Sequence, residues 1–383
     1  MKFIDLFCGI GGFHVALERL GHECILASDS DKYCRNVYKE NFGIQPNNNV
    51  KDIDPSKIED FDIICAGFPC QPFSNGGKKK TFEDERGLLF DEIIRIANVK
   101  KPRFMFLENV KHILKVDNGK VIEYIKTKID KAGYNLKIVQ ISPHSYGIPQ
   151  QRERVYFICT CKTLGEFELN IDPVTSHIDF EKYLDKEYDV KYKVEDKILN
   201  VLEAWDEMVK IFDIDEKISP TILVNDYYRN FTDEDIKTLP SWRQDYIKKN
   251  KPLIDKYKKQ FDSWYKKHRE ILTSKEIFGK LEWQVGKIKE NDSIFNYFIQ
   301  VRQSGIRVKR AKYFPTLVAI NQTPIYGKEK RYITPRECAR LQSFPDTFTI
   351  HADDKRSYKQ FGNAVNVDNA YMVIKNTLSK FCI

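Results

Sequence analysis

Cys70 stands where a nucleophile could be presented. The triplet Pro69-Cys70-Gln71 directly follows the apolar run 61–68, so a buried strand is predicted to end just before the thiol. A free cysteine is most often a small buried hydrophobic residue, and its thiolate becomes reactive only beside groups that stabilise it. Cys70 must therefore be interpreted together with the polar residues around it.

Charged residues flank two other predicted strands. Glu108 follows the fourth, and Arg152 and Arg154 precede the sixth at alternate positions, which an extended segment points to one side. Taken alone, each has an ordinary explanation as a helix cap or a surface charge. Open α/β sheets bind ligands at the carboxyl ends of their strands. Together with Cys70, these residues therefore predict one pocket that contains a nucleophile, a carboxyl group and guanidinium groups.

The first predicted strand ends in a glycine-rich turn, FCGIGGF (7–13). Glycines let a ligand approach the backbone, and the helix that follows offers free N–H groups. The next strand ends at Asp29, 20 residues after Gly9, where a carboxylate can accept hydrogen bonds from ribose hydroxyls. The third glycine of the dinucleotide fingerprint is missing. We therefore predict a nucleoside-based cofactor other than a nicotinamide or a flavin.

These residues need a sheet to position them. From residue 1 to about 160, short β-rich runs alternate with stretches of helical period, which predicts an α/β, doubly wound, mostly parallel sheet. The predicted strands are 2–7, 23–28, 61–66, 103–107, 136–142 and 154–160. The predicted helices are 12–20, 31–41, 88–99 and 120–132, with Gly21 and Gly133 as C-terminal caps.

Composition narrows the class of protein. The 383 residues contain nine cysteines but no CxxC pair, so no metal site is predicted. No run of about 18 apolar residues occurs, and the start of the chain lacks the apolar stretch of a signal peptide. We expect a cytoplasmic protein with reduced thiols and no membrane contact.

After about residue 180 the alternation stops, which indicates a second domain. Residues 241–280 hold 12 Lys/Arg against 5 Asp/Glu, within a formal net charge of +8 for the chain. This excess indicates a polyanionic partner or, equally well, a solvated lysine-rich face. Apolar residues recur at helical spacing from Leu253 to Leu272 behind Lys251-Pro252, which predicts an amphipathic helix with Pro252 in its first turn.

Seven motifs together resemble the DNA (cytosine-5)-methyltransferases of bacterial restriction-modification systems. The resemblance covers residues 1 to about 160 and 330–383. It is carried by FCGIGGF (7–13), GFPCQPFS (67–74), FEDERG (82–87), ENV (108–110), QRER (151–154), TPRECARLQSFP (334–345) and QFGNAV (360–365). It implies the class I S-adenosylmethionine-dependent methyltransferase fold. It also implies a catalytic domain of residues 1–182 and 346–383, and a smaller target-recognition domain of residues 183–345.

The resemblance also implies a reaction. Cys70 would add to carbon 6 of a flipped-out cytosine, so that carbon 5 accepts a methyl group. Glu108 would hold or protonate ring nitrogen 3, for which its burial favours the neutral acid. Arg154 and Arg152 would lie near the base carbonyl and the nucleophile, where positive charge stabilises the thiolate.

The cofactor implied is S-adenosyl-L-methionine, with S-adenosyl-L-homocysteine as product and no metal. Ser30 stands where the family can place a stacking tryptophan, and Asn49-Val50 where it usually has an acid and an apolar residue. The positions assigned to cofactor binding are Phe7, Gly9, Ile10, Gly12, Asp29, Ser30, Asn49, Val50, Pro69, Leu89, Asn363 and Val365.

The partner implied is double-stranded DNA. The loop after Cys70 would close on the flipped base, and the basic segment 300–314 of the second domain, with five basic residues and no acid, would contact bases and phosphates. The residues assigned to DNA are Ser74, Lys78, Lys79, Arg302, Gln303, Ser304, Arg307, Lys309 and Arg310. We expect a monomer, associated with the nucleoid and paired with a separate cognate restriction endonuclease.

Two alternatives stay open at this stage. One is a methyltransferase of cytosine 5 in transfer RNA, and the other is a catalytically silent DNA-binding regulator. The long basic insertion and the intact Pro69-Cys70-Gln71 favour DNA over RNA by analogy. A silent regulator predicts decay of the site, yet Cys70, Glu108 and Arg154 are all present.

Overall fold

A computed structural model describes residues 1–69, 88–173, 179–228, 232–310, 313–318 and 322–382. As far as these ranges extend, the chain forms two compact units. The first comprises Met1–Tyr183, Val318–Ile320 and Pro335–Ile383, and the second Leu184–Leu317 and Asn321–Thr334. Residues 335–345, which we expected in the second domain, group with the first unit. There the buried Gln342 donates from Nε2 to the Phe361 carbonyl at 2.7 Å.

The first unit is built on a six-stranded sheet in the order β2-β1-β3-β4-β6-β5. The first four of these strands pair in parallel, whereas β6 runs antiparallel to both of its neighbours. The sheet is therefore mostly parallel, as predicted. Its strands are β1 (Lys2–Leu6), β2 (Glu23–Ser28), β3 (Ile63–Ala66), β4 (Phe104–Val110), β5 (Tyr134–Ile141) and β6 (Arg154–Cys161).

Capping side chains and glycines mark the ends of several helices in this unit. Asp31 caps the second helix by accepting the N–H groups of Tyr33 and Cys34. Gly21 and Gly133 follow the first and fourth with φ of 78° and 93°, which glycine adopts without strain. The helices of this unit are α1 (Gly12–Glu18), α2 (Lys32–Phe42), α3 (Leu88–Lys100), α4 (Lys120–Lys131), α10 (Pro335–Leu341), α11 (Asp354–Asn363) and α12 (Val367–Leu378).

The second unit has its own sheet, in the order β12-β11-β9-β10-β8-β7. Its strands are β7 (Thr221–Leu223), β8 (Lys280–Gln284), β9 (Phe298–Arg302), β10 (Gly305–Lys309), β11 (Ile325–Tyr326) and β12 (Arg331–Tyr332). Its helices are α5 (Asp196–Val209), α6 (Val224–Tyr228), α7 (Asp233–Thr238), α8 (Ser241–Lys256) and α9 (Lys258–Thr273).

The apolar face predicted around residue 260 forms the core of this unit. Phe261 and Trp264 of α9 are buried, and the Trp264 indole donates to the Ala204 carbonyl at 2.6 Å. The prediction for Pro252 was wrong, because Pro252 lies inside α8 rather than in the first turn of a helix. The apolar period continues through the α8–α9 junction, so it does not show where one helix ends.

Several lysines of the basic segment 241–280 have local partners. Lys251 pairs with Asp255 at 3.0 Å, and Lys267 pairs with Glu207 at 2.8 Å. Part of the excess charge is therefore balanced within the unit. Within the described ranges, no helix is long and apolar enough to cross a membrane.

Candidate active site

The end of β4 and the start of β6 bring Glu108 and Arg154 together. Val110 pairs with Arg154 in the antiparallel register, and the Arg154 Nε lies 3.0 Å from the Glu108 Oε1. Because β6 runs antiparallel, residues that precede it reach the same sheet edge as residues that follow β4. Both side chains are largely buried: Arg154 is 13% exposed and Glu108 is 10% exposed. The predicted meeting of carboxyl and guanidinium groups therefore exists at this edge.

Burial controls the protonation of Glu108. Removal from solvent raises the pKa of the Glu108 carboxyl above its ordinary value, while the charges of Arg154 and Arg152 act in the opposite direction. The neutral acid is thus favoured relative to a glutamate in water. A carboxyl group in this state can donate a hydrogen bond or a proton to a ligand.

Asn109 fixes the backbone that leads to the predicted nucleophile. Its Nδ2 donates to the Phe68 carbonyl at 2.9 Å, and its Oδ1 accepts the Val110 N–H at 2.8 Å. Pro69 follows as an exposed residue, and Cys70 lies outside the described residues. We did not assign a role to Asn109 from sequence, although its place next to Glu108 at a strand end was a usable signal.

We predict that Asn109→Ala lowers the free energy of unfolding by about 1–3 kcal/mol, since it leaves the buried Phe68 carbonyl without its donor. Urea unfolding followed by circular dichroism measures this change. Asn135→Ala, which removes an exposed amide that donates to the Gly165 carbonyl, is the matched control. Equal stability of the two variants would contradict a structural role for Asn109.

Arg152 takes a different place from Arg154. Its side chain is 1% exposed, and its Nη2 donates to the carbonyls of Gly362 and Ala364, both at 3.0 Å. Arg152 therefore holds the turn between α11 and α12, and its charge also acts on Glu108. The sequence pattern placed both arginines on one side but did not show this long-range anchor.

That turn packs against the glycine-rich loop after β1. A Cβ added at Gly12 would lie 2.3 Å from the Val365 carbonyl oxygen, so only glycine permits this approach. Val365 also packs near Gly67 at the end of β3. The structure thus brings FCGIGGF, QFGNAV and Gly67, the first residue of GFPCQPFS, to one place.

Two backbone N–H groups hold the side chain of Asp29. Its Oδ2 accepts the Gly9 N–H at 2.8 Å, and its Oδ1 accepts the Asp31 N–H at 2.7 Å. Gly9 adopts a φ of 54° to make this contact. A carboxylate has about four acceptor positions, so two remain for the hydroxyls of a ribose. These residues therefore fit a nucleoside-based cofactor.

The other positions assigned to the cofactor differ in exposure. Ile10 and Val50 are buried, whereas Ser30 and Asn363 are exposed. The Asn49 side-chain Oδ1 accepts the Lys51 N–H at 3.1 Å and so caps a short turn. Phe7, which has a φ of 53°, and Leu89 are both partly buried against the core of the unit.

The residues assigned to DNA fall into two groups. Ser74, Lys78 and Lys79 lie outside the described residues. Gln303 and Ser304 form the exposed turn between β9 and β10, and Lys309 is the last residue of β10. The other three are held within the second unit: Arg302 and Arg307 pair with Glu282, and Arg310 donates to the Val285 carbonyl.

Comparison with known proteins identifies the family. The family model described as C-5 cytosine-specific DNA methylase matches residues 1–379. The chain belongs to this family. As a member, it is a DNA cytosine-5 methyltransferase, and the resemblance drawn from the seven motifs is confirmed.

Curated members of the family match nearly the whole chain. Type II methyltransferase M.HhaI of Haemophilus parahaemolyticus is 32% identical over 96% of this chain and 91% of its own length. Type II methyltransferase M.HpaII of Haemophilus parainfluenzae is 32% identical over 99% and 89%.

The fold is shared with solved methyltransferases. The Dnmt2 methyltransferase of S. pombe is 18% identical, superposes with a TM-score of 0.58, and covers 99% of this chain and 98% of its own. This likeness confirms the predicted α/β class I methyltransferase fold. In the described part of this methylase, no three His, Cys, Asp or Glu side chains are grouped to hold a metal ion.

Proposed function

We propose that the chain methylates carbon 5 of a flipped-out cytosine in a specific double-stranded DNA sequence, through a covalent bond between Cys70 and carbon 6. The observation that carries this proposal is the buried Glu108–Arg154 pair at the sheet edge. It lies next to Asn109, which anchors the backbone leading to Cys70. A cytosine inside a stacked duplex cannot reach such an edge, so the base must leave the helix.

The chemistry follows from what each group can do. The Cys70 thiolate forms a bond to carbon 6, and the electrons of the 5,6 double bond move into the ring toward nitrogen 3. Glu108, as the neutral acid, donates to nitrogen 3 and so stabilises this charge. Carbon 5 becomes nucleophilic and gains the methyl group. A base takes the carbon 5 proton, the thiolate leaves carbon 6, and nitrogen 3 returns its proton to Glu108, so the 5,6 double bond is restored.

S-Adenosyl-L-methionine would supply the electrophilic methyl group, leaving S-adenosyl-L-homocysteine. Asp29 would hold its ribose, since two acceptor positions remain on a carboxylate fixed by backbone N–H groups. The turn at Val365, anchored by Arg152, would close the site over the glycine-rich loop.

The remaining assignments extend this proposal. Residues 1–182 with 335–383 would form the catalytic domain, and residues 183–334 the target-recognition domain that contacts DNA. We propose that the chain acts as a monomer in the bacterial cytoplasm and nucleoid. There it would protect sites that a separate restriction endonuclease cleaves, as the Type II names of its relatives suggest.

Bisulfite sequencing tests the proposed function. A plasmid is recovered from a methylation-free host that expresses the chain, and from the same host with the Cys70→Ala chain as control. We expect one cytosine within one short sequence to resist conversion throughout the plasmid. Complete conversion of the plasmid, with 5-methylcytosine found in transfer RNA instead, would establish the RNA-modifying alternative.

A further inference from the structure

One acidic side chain in the second unit holds two arginines of a sheet face. Glu282 of β8 pairs through Oε1 with Arg302, and its Oε2 lies 3.0 Å from the Arg307 Nε. Glu282 and Arg307 are direct partners in the parallel β8–β10 register. Their neighbours Leu281 and Ile306 point to the opposite, buried face. The three charged residues therefore share the polar face of the sheet.

Arg302 and Arg307 differ in what they can reach. The Arg302 side chain is 13% exposed, whereas Arg307 is 30% exposed. Arg302 is thus packed against Glu282 as a support, and Arg307 is the more accessible of the two. Both guanidinium groups contact the same carboxylate, so they lie close together.

The contact with Glu282 uses only one side of the Arg307 guanidinium group. Its Nε donates to Glu282, and its Nη1 and Nη2 form no hydrogen bond with the described residues. Two parallel N–H donors match the O6 and N7 acceptors that guanine presents in the major groove. A carboxylate that fixes the Nε side also limits the directions in which these donors point.

We propose that Arg307 reads a guanine of the DNA target and that Glu282, supported by Arg302, is the positioning residue that orients it. This rests on the proposed function, because it requires a DNA substrate bound by the second unit. A phosphate contact is the competing role for Arg307. The two differ in their consequences, since a phosphate contact carries no sequence information whereas a base contact does.

The test measures kcat/KM for methyl transfer to an unmethylated duplex that contains the target sequence. It is repeated on duplexes in which one guanine at a time is replaced by 7-deazaguanine, which lacks the N7 acceptor. We expect wild type to lose roughly 5- to 150-fold at one guanine. Arg307→Lys and Glu282→Gln should lose this sensitivity at the same position. Lysine keeps the charge but lacks the two-donor fork.

Glu207→Gln is the matched control, because Glu207 also lies in the second unit and is held by two basic side chains, Lys267 and His268. It should keep the wild-type sensitivity, and thermal unfolding should show all variants folded. Unchanged sensitivity in folded Arg307→Lys would assign Arg307 to phosphate and overturn the proposal, as would a wild type indifferent to every 7-deazaguanine. A wild type that methylates no DNA would overturn the proposed function as well.

Discussion

Replacing Cys70 by alanine abolishes methyl transfer and leaves DNA binding measurable: this is the largest effect we expect. Without the thiolate, carbon 5 of cytosine is a poor nucleophile, and loss of a covalent nucleophile costs about 10⁴-fold or more in kcat. DNA binding depends on contacts to bases and phosphates, which the substitution does not touch. Incorporation of labelled methyl groups and a gel shift measure the two properties separately.

Cys65→Ala is the matched control, because Cys65 lies five residues earlier on β3 and is fully buried. Burial raises the pKa of the Cys65 thiol well above its ordinary value, so it is no nucleophile. This variant should retain methyl transfer. A duplex with 5-fluorocytosine at the target adds a second measurement, since fluorine cannot leave as a proton does. Wild type should form a covalent adduct with it. Full methylation by the alanine variant would exclude the covalent mechanism.

The sheet of the first unit was predictable because its strands are short, apolar and separated by helices of clear period. The direction of β6 was harder to predict. Only residues 142–153 connect β5 to β6, and no α-helix lies between them. A parallel crossover usually contains an α-helix, so the absence of one here favours an antiparallel pair. That direction is what brings Arg154 beside Glu108.

The site was predictable as a set of strand ends but not as a set of contacts. Local spacing placed Arg152 and Arg154 on one side, yet Arg152 bonds the Gly362 and Ala364 carbonyls more than 200 residues away. The same holds for Asn109, whose acceptor at Phe68 belongs to another strand end. Such partners depend on which strands lie side by side, and a pattern along the chain does not contain that information.

The second unit shows what composition can and cannot predict about a charged surface. The basic residues of the segment 300–314 were recognised by composition, but Glu282, which holds two of them, lies outside that segment. Its importance comes from the β8–β10 pairing. Composition therefore predicts that the surface is charged. The strand register determines which basic side chains are held in place by an acidic partner.

Glu108→Gln should lower kcat by roughly 10²–10⁴-fold, because an amide can donate to nitrogen 3 but cannot transfer a proton to it. Burial raises the pKa of the Glu108 carboxyl, so the active neutral acid is retained below that raised pKa and is lost as pH rises through it. The wild-type profile of kcat/KM against pH should show this alkaline limb, and the glutamine variant should lack it. Glu153→Gln, which removes an exposed carboxylate paired with Lys111, is the control and should keep the limb.

The raised pKa of Glu108 also makes the free energy of unfolding depend on pH. The folded state binds the Glu108 proton more tightly than the unfolded state, whose glutamate has a pKa of about 4.3. This contribution is therefore fully present below the unfolded pKa and is lost as pH rises through the folded pKa. Because glutamine carries no such proton, the stability of Glu108→Gln relative to wild type, measured by urea unfolding, should rise as pH increases through the folded pKa of Glu108. A difference in stability between the two proteins that stays constant with pH would contradict the raised pKa.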